Sequence, residues 1–386
     1  MPENQAGSPS TDDRTANART LTRSDVVIFV GGAIGVVAAG LTRFAHTSAI
    51  LAFVCAAVAV AVLAALVARS VEQMGDRFGA GATGVLQGAL GNLPELFISF
   101  FALRAGLRVV VQSAIIGSML ANLLLVLGAA FVVGGLKHGT QRFERARARD
   151  TSVLLVLATA ALVLPSMAQF SHSPAAPHLR VLSDTVAVVL LIVFVLSLPA
   201  ALARRAGDST GGGKAAAAAP AAKTAKVAQG NEPPRWPIWL AVGLLAASGG
   251  ASALVSDWFV HALQPAITTL HLSQAFAGLV VVAIAGNAIE HVVGIRLAYL
   301  NQSDYALSVI LNSPLQVALL LAPALVLLSL TTATTLTLVF APMLVAAVVV
   351  TVVLVTLIVF DGESNWLEGS ILIGLYVIIA AVFWWG

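Results

Sequence analysis

The sequence predicts an all-α polytopic membrane protein of eleven transmembrane helices, built as one extra N-terminal helix plus two inverted five-helix repeats. Three observations carry this. Apolar residues make up 59% of the 386-residue chain and charged residues only 10%, with a mean hydropathy of +0.94, far outside the range of a soluble domain. Apolar runs near the ~20 residues that a helix needs to cross hydrocarbon recur along the whole chain. And a pattern of small and polar residues occurs twice at a constant offset of 195: Gly91-Asn92-Leu93-Pro94-Glu95 against Gly286-Asn287-Ala288-Ile289-Glu290, each followed 26 residues later by Gly117-Ser118 and Asn312-Ser313.

Taken in order, residues 1–24 are polar and too rich in Ser, Thr and Asn for a signal-peptide core, so they read as a disordered cytoplasmic tail. The first helix, near 25–44 in the segment 25–47, is the unpaired extra; its Gly31, Gly32 and Gly35 suit close packing or simple flexibility. The first repeat, 48–205, holds helices near 48–69, 83–103, 109–134, 151–170 and 183–203. The only cysteine, Cys55, lies in the second helix, so no intrachain disulfide can form. Residues 206–236 are Gly- and Ala-rich with scattered lysines and Pro233-Pro234, the composition of a flexible basic linker. The second repeat, 237–386, holds helices near 237–255, 274–299, 305–330, 332–358 and 366–385. Five spans is an odd number, so the second repeat enters the membrane with the opposite polarity, and substrate sites then form near the midplane between repeats.

Threading eleven spans puts 17 of the 21 Lys and Arg residues on the side shared by the N-terminal tail and loops 69–82, 135–150, 204–236, 300–304 and 359–365; Arg43, Arg104, Arg108 and Arg180 fall on the other. By the positive-inside rule the N-terminus is cytoplasmic and the C-terminus external, in a cell membrane of the bacterial inner-membrane kind. The sequence pI of 9.3 is then a topology signal and an affinity for anionic headgroups, and no nucleic-acid partner is expected. Oligomeric state is left open.

The chemistry sits in the duplicated segments. Asn92, Glu95 and Ser99 follow i, i+3, i+7 spacing and share one helix face; Gly84, Gly88 and Gly91 precede them on a face where another backbone can approach. Pro94 cannot donate from its nitrogen, which would open the carbonyl of Leu90. The eighth helix repeats Gly286, Asn287 and Glu290, adds His291 and Gly294, and lacks the proline. Gln112, Ser113, Gly117, Ser118 and Asn122 lie in the fourth helix; Asn312, Ser313 and Gln316 lie in the ninth, where Pro314 opens the carbonyl of Ile310. A carboxylate in hydrocarbon needs a proton or a cation for company. Two glutamates with amide and hydroxyl oxygens suit a hard cation such as calcium or manganese, not zinc or copper. Asn92, Asn287, Ser118, Ser313 and Gln316 complete the expected cation-binding set with Glu95 and Glu290. For Ser99, Ser113 and Gln112 simple interhelical hydrogen bonding is an equal alternative. His291 reads as a proton relay, an orienting partner for Glu290, or a packed histidine. Asp257, His261 and His271 are placed in a solvated interhelical loop.

The G-N-x-x-E start, the G-S-x-x-x-N-L-L-L-V-L-G run at 117–128 and the G-N-A-x-E-H run at 286–291 resemble the two alpha-repeats of the calcium/proton antiporters, the CAX type within the cation/calcium exchanger superfamily. The resemblance implies a transporter, not an enzyme. It would exchange cytoplasmic Ca2+ for external H+ by alternating access with Glu95 and Glu290 at its centre, and with Ca2+ as transported substrate and no cofactor. In that family the first helix is accessory. Two departures stand out: Leu93-Pro94-Glu95 is similar to the sodium/calcium branch, and the linker is basic where relatives often carry an acidic segment. A Na+/Ca2+ exchanger, or an antiporter for another divalent cation such as Mn2+, is the alternative. No H-E-x-x-H, G-x-S-x-G or intramembrane aspartate pair points to an intramembrane enzyme.

Electrostatics supplies the expected mechanism. One divalent cation, or two protons, neutralises the pair of carboxylates, which titrates as a coupled unit. Either loaded state can cross a low-dielectric interior that the empty dianion cannot. Sliding of the glycine-rich third and eighth helices would occlude the site.

Overall fold

The computed structural model describes residues 22–45, 47–78, 90–208 and 236–385. The expectations for the N-terminal tail, for Gly84 and Gly88, and for most of the linker fall outside these residues. The chain forms α1 (Arg23–Phe44), α2 (Ala49–Phe78), α3 (Leu93–Arg104), α4 (Arg108–His138), α5 (Arg145–Phe170), α6 (Leu179–Asp208), α7 (Ile238–Thr269), α8 in two arms (Gln274–Gly286 and Ala288–Tyr299), α9 (Ser303–Ser329), α10 (Pro342–Val359) and α11 (Trp366–Trp384). It is an all-α polytopic membrane protein. Among the described residues nine helices are long and apolar enough to cross a membrane, with α8, bent by 65°, as a tenth. α3, described only from its break onward, is not among them. Large side chains on α1, α6 and α10 point outward, as a hydrocarbon solvent demands, whereas α4 and the first part of α9 are buried nearly all round.

Several boundaries differ from expectation: α2 runs on to Phe78 and α5 begins at Arg145, and the two largest differences lie in the second half. α7 runs to Thr269, so Asp257 and His261 stand on a helix and not in a loop, 42% and 58% exposed and 3.9 Å apart; of the three residues only His271 sits in the turn, at φ 50°. The buried stripe Val255, Phe259, Leu263, Ala266 keeps helical spacing past the predicted end. The tenth helix begins at Pro342 and not at 332. In the interval Leu336, Leu338 and Phe340 are buried at alternate positions, the period of extended chain. This strap cannot hydrogen-bond to itself, and side chains from three helices serve it. Gln112 Nε2 donates to the carbonyls of Thr337 (3.0 Å) and Val339 (2.7 Å), Ser166 Oγ accepts from Phe340 N (2.9 Å) and donates to Leu338 O (3.1 Å), and Ser183 Oγ accepts from Leu338 N (3.1 Å). A Gln112→Leu variant leaves two carbonyls without a donor, at about 1–3 kcal/mol each. We expect it to lower the melting temperature in detergent and to speed amide exchange at residues 336–340.

Loops assigned to one side by threading do meet. A two-residue strand β1 (Gln141–Arg142) pairs antiparallel with β2 (Glu363–Ser364). Lys137 Nζ and His138 Nε2 both reach the Tyr299 carbonyl that ends α8, at 3.2 and 2.9 Å. The start of α1, the end of α2 and the start of α7 likewise converge through Arg69 Nε–Asp25 Oδ1 (3.1 Å) and Trp236 N–Gln73 Oε1 (3.2 Å). At the far end, Ser273 Oγ, before α8, donates to Phe383 O in α11.

Candidate functional site

Four helices build the site: α3 and α4 from the first repeat, α8 and α9 from the second. The chain breaks at Asn92 (φ −92°, ψ 13°) and at Asn287 (φ −109°, ψ 13°), and a helix restarts after each. Leu96 N bonds Asn92 O at 2.9 Å, and His291 N bonds Asn287 O at 3.1 Å, so the two restarts match residue for residue at the 195 offset. Pro94 therefore lies at the second position of a new helix, where its missing N–H costs nothing, and not in a helix interior as its sequence setting implies. α8 breaks the same way with Ile289 at that position. Each glutamate falls in the first turn, where unpaired N–H groups and the helix dipole favour negative charge.

Neither asparagine caps its own helix; both amides reach across. Asn287 Nδ2 donates to Glu95 Oε1 (3.3 Å), Ser118 Oγ (3.1 Å) and Ala283 O (3.0 Å). Asn92 Nδ2 donates to Gln316 Oε1 at 3.1 Å. Each carboxylate accepts a hydrogen bond from the serine 23 residues after it: Ser118 Oγ donates to Glu95 Oε1, and Ser313 Oγ to Glu290 Oε2 at 2.6 Å. Glu95 is 2% exposed and its Oε2 has no partner; Glu290 is partly buried and within electrostatic reach of Glu95. The structure thus brings together Glu95, Glu290, Asn92, Asn287, Ser118, Ser313 and Gln316. His291 is buried beside them with Nε2 unpartnered.

Other residues fall elsewhere. Gln112 serves the strap. Asn312 turns back along its own helix, donating to Ser308 O at 2.6 Å. Asn122, counted in sequence only among the polar residues of its helix, gains weight: it is 1% exposed, its Nδ2 holds Ser118 O at 3.0 Å, and its Oδ1 has no donor. A π-helical stretch, Ala121–Val126, begins one residue before it; another, Val317–Leu321, directly follows Gln316, and a third, Ala277–Val282, precedes the α8 break. Such widened turns gather at functional sites. Hydropathy and residue spacing carry no signal for them.

Glycine sets the approach of the helices. A Cβ on Gly117 would lie 2.2 Å from Leu279 O, and one on Gly278 2.2 Å from Val110 O, so the backbones of α4 and α8 touch. Gly286 faces Glu95, with room for a Cβ only at 3.4 Å from its side chain. Pro314 stays within a continuous α9, just before its π stretch.

Glu95 and Asn122 both bond Ser118, through Oε1 and Nδ2, and each leaves its other oxygen, Oε2 and Oδ1, buried without a donor; such oxygens are ligands that a hard cation accepts. No group of three carboxylate, histidine or cysteine side chains forms among the described residues, so a divalent cation here would draw most of its ligands from neutral oxygens.

A family model described as sodium/calcium exchanger protein matches residues 48–203 and 240–385. The chain is 32% identical over 357 residues to a Ca(2+)/H(+) antiporter of Aphanothece halophytica, covering 92% of this chain and 96% of that one. It is 33% identical over 358 residues to the Ca(2+)/H(+) antiporter ChaA of Bacillus subtilis, covering 92% and 98%. Among solved structures, native YfkE superposes with a TM-score of 0.75 at 31% identity, covering 92% of this chain and 99% of that one. The H+/Ca2+ exchanger CAX, at 16% identity and a TM-score of 0.62 over 92% of both chains, shares the fold.

Proposed function

Because the chain belongs to the sodium/calcium exchanger family, we propose that it is a secondary active transporter that moves cytoplasmic Ca2+ outward in exchange for external H+. The carrying observation is the matched pair of membrane carboxylates, each at a helix restart and each bonded by the serine 23 residues on. Antiporter names on two relatives aligned over nearly their whole lengths support the choice of ions. Two family-matched segments, 48–203 and 240–385, support the division into repeats around an accessory first helix and a linker.

In this reading Glu95 and Glu290 take either one divalent cation or two protons. Ser118, Ser313, Asn92, Asn287 and Gln316 supply neutral oxygens to the cation, and Asn122 adds one more. Ser118 and Ser313 donate to ionised carboxylates and can rotate to accept when the carboxyls are protonated. The empty dianion is the state that cannot cross, so exchange is obligatory. Gly91, Gly117 and Gly286 permit close sliding, and Pro94 and Pro314 fit the restarts and π turns. His291, with a free ring nitrogen, is the third group able to carry a proton, and it would raise the stoichiometry above two protons per cation. The basic loops face the cytoplasm, with the N-terminus there and the C-terminus outside.

Radiolabelled calcium uptake into inside-out vesicles tests this. Uptake driven by an acid interior and collapsed by a protonophore is expected. Uptake that follows a sodium gradient instead assigns the chain to the sodium/calcium branch, and uptake of manganese alone assigns a different cargo.

A further inference from the structure

We propose that α1, α2 and α7 form one rigid body, held by a buried ion-pair clamp that also anchors the end of the linker, so that α1 travels with α2 and α7 as access switches. The inference rests on the alternating-access reading and says which helices keep a fixed relation within it. α1 stands outside the repeats, and the family match begins after it. Its extensive contacts among the described residues are all with α2 and α7.

It is pinned at three depths. At one end Asp25, 1% exposed, accepts from Arg69 Nε of α2 (3.1 Å) and from the indole Nε1 of Trp236 (3.4 Å), the residue that leads from the linker into α7. Arg69 Nη1 donates to Glu72 Oε2 (2.9 Å), and the fully buried Trp236 ring packs on Phe29 at 5.2 Å. Midway, a Cβ on Gly35 would stand 3.3 Å from that of Ala59. At the other end Phe44 meets Trp258 of α7 edge-on at 6.0 Å, and Gly40 abuts the same ring. A buried carboxylate is kept only with charge and hydrogen-bond partners; here Thr22 N at the cap of α1 itself gives one bond to Oδ2 (2.9 Å), while the charge partner comes from α2 and a further donor from the start of α7. A slip of α1 by one residue, about 1.5 Å, would break all three pins together. The clamp therefore fixes the accessory helix to α2 and α7 and ties the linker's end to them.

A disulfide tests rigidity directly. In a Cys55→Ala background, Gly35→Cys with Ala59→Cys places two thiols within bonding reach. The pair should oxidise fully, read as loss of alkylation by mass spectrometry, and leave calcium flux within about two-fold of the reduced protein, because no gating step crosses the bond. A block on oxidation that dithiothreitol relieves overturns the proposal, as does a pair that stays alkylatable. Should Gly35→Cys fail to fold, nitroxide labels at Val30→Cys and Val58→Cys give the second measurement. Their distance should not differ between the calcium-loaded protein at alkaline pH and the calcium-free protein at acid pH, and should broaden when Asp25→Ala and Arg69→Ala are added. A load-dependent distance, or no broadening, overturns it. A protein that moves no calcium under any gradient sinks the transport reading instead, while the alkylation and distance measurements still decide whether the body is rigid.

Discussion

Glu95→Gln is expected to reduce proton-driven calcium flux by at least about 100-fold while leaving a folded, detergent-stable protein. Glutamine keeps the shape and still accepts from Ser118 and Asn287, so packing survives. What is lost is the negative charge that, in the proposed mechanism, neutralises half of a divalent cation and takes up a proton on the return. Removing one partner of a buried charged set costs about 3–5 kcal/mol, and each 1.4 kcal/mol is about tenfold. Glu290→Gln should fall as far, because Ser313 holds it as Ser118 holds Glu95. The informative comparison is calcium self-exchange, which needs no proton: it should fall too if, as proposed, the same carboxylates bind the cation. Calcium self-exchange at the wild-type rate in either variant would mean that the glutamate carries protons only, and that the cation binds elsewhere.

The second large effect is steric. Gly117→Val should prevent assembly of the α4–α8 crossing and yield protein that aggregates on extraction or melts far below wild type. The first added carbon would meet a backbone carbonyl at 2.2 Å, and backbone cannot move aside as a side-chain tip can. Overpacking of this kind costs about 1–3 kcal/mol when neighbours can relax, and here they cannot. Gly117→Ala is the graded test. It should fold in part, with a calcium KM raised more than its stability falls, because Ser118 is the next residue and Asn287 ends the α8 arm that Gly117 touches at Leu279. An alanine variant with wild-type flux and melting would show that the two backbones are further apart than described.

Much of the site was legible because hydrocarbon makes polar residues conspicuous. A glutamate within an apolar run needs a reason, and two at one offset, each followed by a serine, need a common one. That logic singled out Glu95, Glu290, both asparagines, both serines and Gln316, side chains that lie together in the structure and carry the proposed site. It placed Gln112 and Asn312 no better than by composition, because spacing gives a helix face but not its neighbour. Gln112 turns to the strap and Asn312 to its own backbone. The strap itself was readable, in the alternation of Leu336, Leu338 and Phe340, and was overrun by a hydropathy average blind to period.

The sequence by itself determined the class, the duplication and the chemical inventory, since burial in lipid, helix length and charge cost depend on residue identity and distance along the chain alone. Tertiary structure decided the rest. α8 breaks at Asn287 without the proline that marks the break at Asn92, and there Asn287 gives its amide to Glu95 and Ser118 while Glu290 occupies the first turn of the restarted helix. The π stretches, the glycine crossing of α4 and α8, and the clamp from Asp25 to Arg69 and Trp236 arise the same way. Each is settled by which distant group lies opposite, and a backbone hydrogen bond or a buried charge is satisfied only by a partner that folding brings within about 3 Å.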